Sequence, residues 1–156
     1  QIGKRVGADV PFCILGGTAL AEGIGEVLTP LVSFDGVPIL LVKPPIEVST
    51  AYVYKNLRLD AVGKRPDTDA LVKAIGQRDV ALVAKQMTNV LEEVTCRAFP
   101  QVEEIKGKLN EMGALGSVMS GSGPTVFSLF PGIKQAEEAY HKMGGYEGDV
   151  FLTTTC

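Results

Sequence analysis

Val37-Pro38-Ile39-Leu40-Leu41-Val42, closed by Lys43-Pro44-Pro45, is the stretch from which the fold is read. It is nearly all aliphatic and follows a Phe34-Asp35-Gly36 turn, so it reads as a strand. The two prolines stop it because neither donates to a ladder. Downstream, Ser49 is placed to cap a helix over about residues 50–59. A polar loop over residues 63–69 contains Pro66, and Thr68 or Asp69 then caps an apolar-periodic segment running to Ile75. Asp79 opens another, in which Val80, Leu82, Val83, Met87, Val90, Leu91 and Val94 recur at helical spacing until Phe99-Pro100 breaks it. Val102, Ile105, Leu109 and Met112 continue that spacing to Gly113, a C-cap residue. Ala114 to Met119 and Thr125 to Phe130 read as two strands. A helix follows from about Ile133 to Met143, with Ala136, Ala139, Tyr140 and Met143 facing inward, and Val150 to Thr154 makes a last strand. Strand, helices, strand, strand, helix, strand is the order of the split βαβ, ferredoxin-like plan. The expected fold is α+β, an antiparallel sheet with helices on one face. Upstream, residues 17–22 and 27–32 read as two short strands bent at Gly23 and Gly25.

The 156 residues suffice for one core, and the hydrophobic share of 46% suits a globular domain. The 18 glycines cluster, which points to close approach of backbone to a ligand. A net charge of −3 offers no general attraction for phosphate backbones or anionic lipid, so neither nucleic acid nor membrane is an expected partner. An RNA-binding domain of the same topology would need exposed aromatics and a basic face, but aromatics are 6% of the chain and acids outnumber bases. No apolar run approaches the roughly 18 residues of a bilayer span. Cys13, Cys96 and Cys156 form no paired spacing, which points to a reducing, cytoplasmic setting and thiols that mostly fill the core. One histidine, His141, leaves little material for imidazole chemistry or a histidine metal site, and no metal ligands are assigned. The chain starts on Gln1 inside a polar and glycine-containing run, and is read as part of a longer protein.

Two stretches carry candidate chemistry. In Gly7-Ala8-Asp9-Val10-Pro11-Phe12, Pro11 favours the first turn of a helix and puts Asp9 at or just before its N-cap. Asp9 can cap that helix, or present a carboxylate to a ligand hydroxyl, and the two roles are compatible beside a helix N-terminus. In Ser120-Gly121-Ser122-Gly123-Pro124-Thr125, two glycines let backbone amides turn inward and hydroxyls add donors, an arrangement suited to anions. It is not a Walker loop, and a strand rather than a helix follows it. A hairpin that simply needs positive φ angles is the structural alternative.

Together, Gly7-Ala8-Asp9-Val10-Pro11-Phe12, Gly17-Thr18-Ala19-Leu20-Ala21-Glu22-Gly23-Ile24-Gly25-Glu26 and Met119-Ser120-Gly121-Ser122-Gly123-Pro124-Thr125-Val126-Phe127 resemble a known family. It is the superfamily of galactokinase, homoserine, mevalonate and phosphomevalonate (GHMP) kinases, and within it the 4-diphosphocytidyl-2-C-methyl-D-erythritol kinases. The resemblance runs through the whole chain in order. It implies ATP and Mg²⁺ as cofactors and transfer of the γ-phosphate to the tertiary 2-hydroxyl of a cytidine diphosphate-linked methylerythritol, in non-mevalonate isoprenoid synthesis. It implies Asp9 as the catalytic aspartate that accepts or orients the hydroxyl proton. Gly17, Thr18 and Ile24 are implied to line the substrate pocket, Tyr54 to stack on the cytosine with Thr50 beside it, and Gly121, Ser122 and Gly123 to border the phosphates.

The resemblance also implies residues 1–26 as the end of an N-terminal catalytic domain with its crossing strand, and 27–156 as the C-terminal substrate-binding domain. The family's substrate-binding lysine and its Pro-x-x-x-Gly-Leu-Gly-Ser-Ser loop, which cradles the nucleotide phosphates, are not in this sequence. The missing N-terminal domain is therefore an expected partner, and the chain alone is expected to be inactive. The alternatives are another GHMP kinase such as homoserine kinase, or a ferredoxin-like ligand-binding module with no chemistry.

Overall fold

The computed structural model describes residues 7, 9–58, 60, 62–63 and 65–156. Its elements in order are α1 (Val10–Leu15), β1 (Ala19–Glu22), β2 (Val27–Pro30), β3 (Pro38–Lys43), α2 (Thr50–Asn56), α3 (Thr68–Gly76), α4 (Val80–Gln86), α5 (Glu92–Ala98), α6 (Gln101–Glu111), β4 (Gly116–Met119), β5 (Val126–Leu129), α7 (Ile133–Lys142) and β6 (Asp149–Thr154). Four strands form one antiparallel sheet in the order β4-β5-β3-β6, which is the split βαβ order expected from the sequence. β1 and β2 pair as a separate antiparallel hairpin, from Ala19 opposite Pro30 to Glu22 opposite Val27. A division after residue 26 falls in the turn of that hairpin.

The pleat of β3 explains the layers. Successive side chains point to opposite faces, and Leu40 and Val42, both fully buried, join Val126 and Met119 against α2, α5, α6 and α7. Ile39 and Leu129, paired across the sheet, face the other way with Ala74, Val83 and Ala84. The helices of the ferredoxin plan thus lie on one face as expected, and the α3–α4 pair adds a layer on the opposite face. A Cβ on Gly116 would stand 2.7 Å from the Ala84 carbonyl oxygen, which is how closely α4 approaches β4.

Several local expectations change. The segment from Asp79 to Val94 is two helices, because α4 ends at Met87 in extended backbone (φ −55°, ψ 127°) and α5 starts only at Glu92. Thr88 and Asn89, poor helix formers, sit in the gap. The cap of α3 is Asp67, whose carboxylate accepts from the Ala70 amide at 3.0 Å, rather than Thr68 or Asp69. Ser49 and Asp79 cap α2 and α4 as read. On α7, Ala136, Ala139 and Met143 are buried but Tyr140 is 40% exposed. Of the thiols only Cys96 packs against the core; Cys13 and Cys156 are exposed.

Candidate functional site

The loop over residues 120–125 joins β4 to β5 as a hairpin, at the end of the sheet where β3 finishes and the chain turns into α2. Gly121 has φ +56° and Gly123 φ +88°. At Gly123 a Cβ would also lie 2.5 Å from the Met119 sulfur, so both conformation and space call for glycine there. The loop is closed by Gly123 N–H donating to the Ser120 carbonyl at 2.9 Å and Ser120 N–H to the Thr125 carbonyl at 2.8 Å. Among the described residues, the Gly121 and Ser122 amides have no protein acceptor. The positive φ angles of the hairpin reading and the free donors of the anion reading therefore coexist.

Thr50, the first residue of α2, meets this loop: its hydroxyl and that of Ser122 are 2.8 Å apart. One turn on, Tyr54 is 62% exposed, whereas Val53 beside it is fully buried. Val53 is the core residue of α2, and Tyr54 presents its ring to the outside.

Beneath the loop lie polar groups that the sequence reading did not single out. Asn89, in the gap between α4 and α5, donates both side-chain N–H groups, to the carbonyls of Met119 and Gly121, each at 2.8 Å. Its own oxygen accepts from the Leu91 amide at 3.0 Å. Buried Thr95 donates to the Ser122 carbonyl at 3.1 Å. Glu92 accepts from the Met119 amide at 2.7 Å and, through its second oxygen, from Lys106 at 2.9 Å, and Lys106 also donates to Glu103 at 3.0 Å. Burial pulls Lys106 down, but its bonds to Glu92 and Glu103 outweigh that and hold it above the ordinary lysine value. Cys96 nearby is pushed up to about 11, first by burial and then by the charge of Glu92, so its thiol stays protonated and unreactive at neutral pH. The sequence signal for this network was a Thr-Asn pair interrupting a helical pattern, followed by an acid that stays in register with the core face.

The other expected site residues are elsewhere. Asp9 occupies the N-cap of α1, yet its side chain makes no cap hydrogen bond, and the residue is exposed. Gly17 and Thr18 line a cavity of about 400 Å³ with Phe12, Cys13, Phe34 and Thr155. The Thr18 hydroxyl accepts from the Phe34 amide at 3.0 Å, and Thr155 donates to the Phe34 carbonyl. That cavity adjoins the start of β3, and the glycine loop adjoins its end. At ~3.3 Å per residue the strand separates them by about 17 Å. Ile24 is at the tip of the β1–β2 hairpin, 70% exposed and outside the cavity. The structure thus brings Thr50, Tyr54 and residues 121–123 to one end of the sheet and Gly17 and Thr18 to the other. No hydrogen bond or ion pair among the described residues links Asp9 to the loop.

Among the described residues no group of three His, Cys, Asp or Glu side chains could hold a metal ion. A Mg²⁺ ion of the kind that kinases use rests on phosphate oxygens with one or two carboxylates, and does not need such a group. Among the same residues no helix is long and apolar enough to cross a membrane.

Comparison with known proteins adds the family. The model of the C-terminal region of GHMP kinases matches residues 71–148. The 4-diphosphocytidyl-2-C-methyl-D-erythritol kinase of Acetivibrio thermocellus is 54% identical over 155 residues, covering 99% of this chain and 55% of the relative. That of Lachnoclostridium phytofermentans is 50% identical, covering 98% and 53%. The chain therefore spans about half the length of the curated relatives it matches. A crystal structure of 4-(cytidine 5'-diphospho)-2C-methyl-D-erythritol kinase superposes with a TM-score of 0.82 at 32% identity, over 97% of this chain and 54% of the other. Homoserine kinase from Cytophaga hutchinsonii, at 20% identity and a TM-score of 0.73, shares the fold. With the family model spanning half of its residues and the sheet order, glycine loop and relatives all agreeing, the chain belongs to the GHMP kinases and carries their C-terminal region.

Proposed function

We propose that this chain is the substrate-side part of an ATP-dependent kinase that phosphorylates the 2-hydroxyl of 4-diphosphocytidyl-2-C-methyl-D-erythritol. What carries the reading is one juxtaposition, the 2.8 Å bond between Thr50 and Ser122, which joins the helix bearing an outward-facing tyrosine to a loop with two free amides. The name shared by relatives 50–54% identical supplies the substrate. In this reading Tyr54 stacks on the cytosine, with Thr50 beside it. Gly121, Ser122 and Gly123 offer donors to phosphate oxygens, and Gly17, Thr18 and Ile24 contribute to the substrate pocket. Asp9, free of a capping bond, takes or orients the hydroxyl proton, while alignment and charge stabilisation supply the rest. ATP, when bound, supplies the γ-phosphoryl group. The family's nucleotide cradle is absent from these residues, so catalysis needs the N-terminal domain.

The test is a coupled ADP-release assay on the full-length protein with the cytidine substrate and with homoserine. Turnover with the former, none with the latter and none from the 156-residue chain is expected. Turnover with homoserine alone makes the protein a different GHMP kinase, and full-length protein that binds the cytidine substrate without turning it over favours a non-catalytic module.

A further inference from the structure

We infer that Asn89 is a positioning residue for the glycine loop, holding the Gly121 carbonyl so that the Ser122 amide faces outward, with Thr95 anchoring the next carbonyl. The inference deepens the reading of that loop as the element facing phosphate, but it concerns only how the loop is held.

Asn89 lies 30 residues before Met119 and 32 before Gly121, yet both its donors go to their carbonyls at 2.8 Å. Its oxygen is occupied by the Leu91 amide, so the side chain is fixed at both ends. Within a planar trans peptide the C=O and the N–H point in opposite directions. The only cis peptide among the described residues is Gly123–Pro124. The bond linking Gly121 to Ser122 is therefore trans, and a Gly121 carbonyl directed at Asn89 turns the Ser122 N–H away from it, toward the exposed side of the loop. Thr95, 0% exposed, anchors the next carbonyl, that of Ser122, from the same side. With the carbonyls of Met119, Gly121 and Ser122 all taken by buried or half-buried donors, flipping the Gly121–Ser122 peptide would break the bond from Asn89. An anion on the exposed side meets the Ser122 N–H.

The test is by ¹⁵N NMR on the 156-residue chain. Asn89→Asp is nearly isosteric but sets an acceptor against two carbonyls. Thr95→Val removes the hydroxyl while keeping the shape, and Thr95→Ser restores it. In Asn89→Asp and Thr95→Val the backbone order parameters of Gly121 and Ser122 are expected to fall from about 0.85 toward 0.6 or below. Their amide shifts should move, and β3, β5 and β6 should keep theirs. Thr95→Ser should behave as the wild type. If Asn89→Asp unfolds the chain, Thr95→Val against Thr95→Ser decides alone. Unchanged order and shifts at Gly121 and Ser122 would overturn the inference, as would losses spread evenly over the sheet. Because this readout needs no ligand, it can fail while the kinase reading stands, and the reverse.

Discussion

Replacing Lys106 by Met tests whether the charge pair under the glycine loop works as a unit. Lys106 Nζ is 2.9 Å from Glu92 Oε2, and the two side chains are 14% and 19% exposed. At that distance two unit charges attract by about 6 kcal/mol at an effective dielectric of about 20. Withdrawing each from water costs several kcal/mol, so the intact pair adds little net stability. Removing one partner is different, because it strands the other. Breaking a fully buried pair costs about 3–5 kcal/mol. Glu92 keeps its bond from the Met119 amide and some contact with water, which lowers the expected cost of Lys106→Met to about 2–3 kcal/mol. Glu103, 64% exposed, contributes under ~0.5 kcal/mol. In urea at pH 7, with a slope of about 2 kcal/mol per molar, the midpoint should fall by about 1–1.5 M. Glu92→Gln removes the charge but keeps an acceptor for Met119, so Lys106→Met/Glu92→Gln should be at least about 1 kcal/mol more stable than Lys106→Met. Single losses that simply add in the double variant would refute the reasoning, since they would mean that no carboxylate was stranded.

Four other outcomes are expected. Cys96 at about 11, with Lys106 and Tyr146 also raised, lets the unfolded chain lose protons before the folded one, so stability should fall as pH rises above about 9. The rise of Cys96 to about 11, discounted for its partial exposure, is worth about 1 kcal/mol near pH 11, and Cys96→Ala should flatten that part of a pH series of urea melts. Gly116→Ala should cost about 1–3 kcal/mol by thermal melting, because its Cβ, 2.7 Å from the Ala84 carbonyl, can be fitted only by moving α4 off the sheet. Asp9→Asn should leave the melting temperature within about 2 °C while lowering turnover of the full-length protein at least about 100-fold, whereas Asp79→Ala should cost about 1 kcal/mol of stability through its lost 2.9 Å cap to Leu82.

The contrast between Asp79 and Asp9 shows what could be read in advance. Capping is set within three residues, so Ser49 and Asp79 were found from spacing alone, and the aliphatic run of β3 with its closing prolines placed the strand. The Asp67 cap was missed by one residue, because three hydrogen-bonding side chains in a row, Asp67, Thr68 and Asp69, compete for the same role and the choice depends on where the preceding loop lies. The same locality hid the second helical layer. Leu71, Ile75 and Val83 have the spacing of any core-facing helix, and nothing within α3 or α4 says which face of a sheet they cover; Gly116, more than 30 residues further on, makes room for them. Asn89 was hidden for a related reason. In a window of Val, Met, Leu and Val it reads as a tolerated polar position, and its two acceptors come from strand ends brought back only when β4 pairs with β5. Periodicity therefore recovers groups that act on their own helix or strand, while the groups that fix a loop's orientation emerge only after long-range pairing. That is why the glycines of the 120–125 turn were legible in the sequence and the side chains that aim its amides were not.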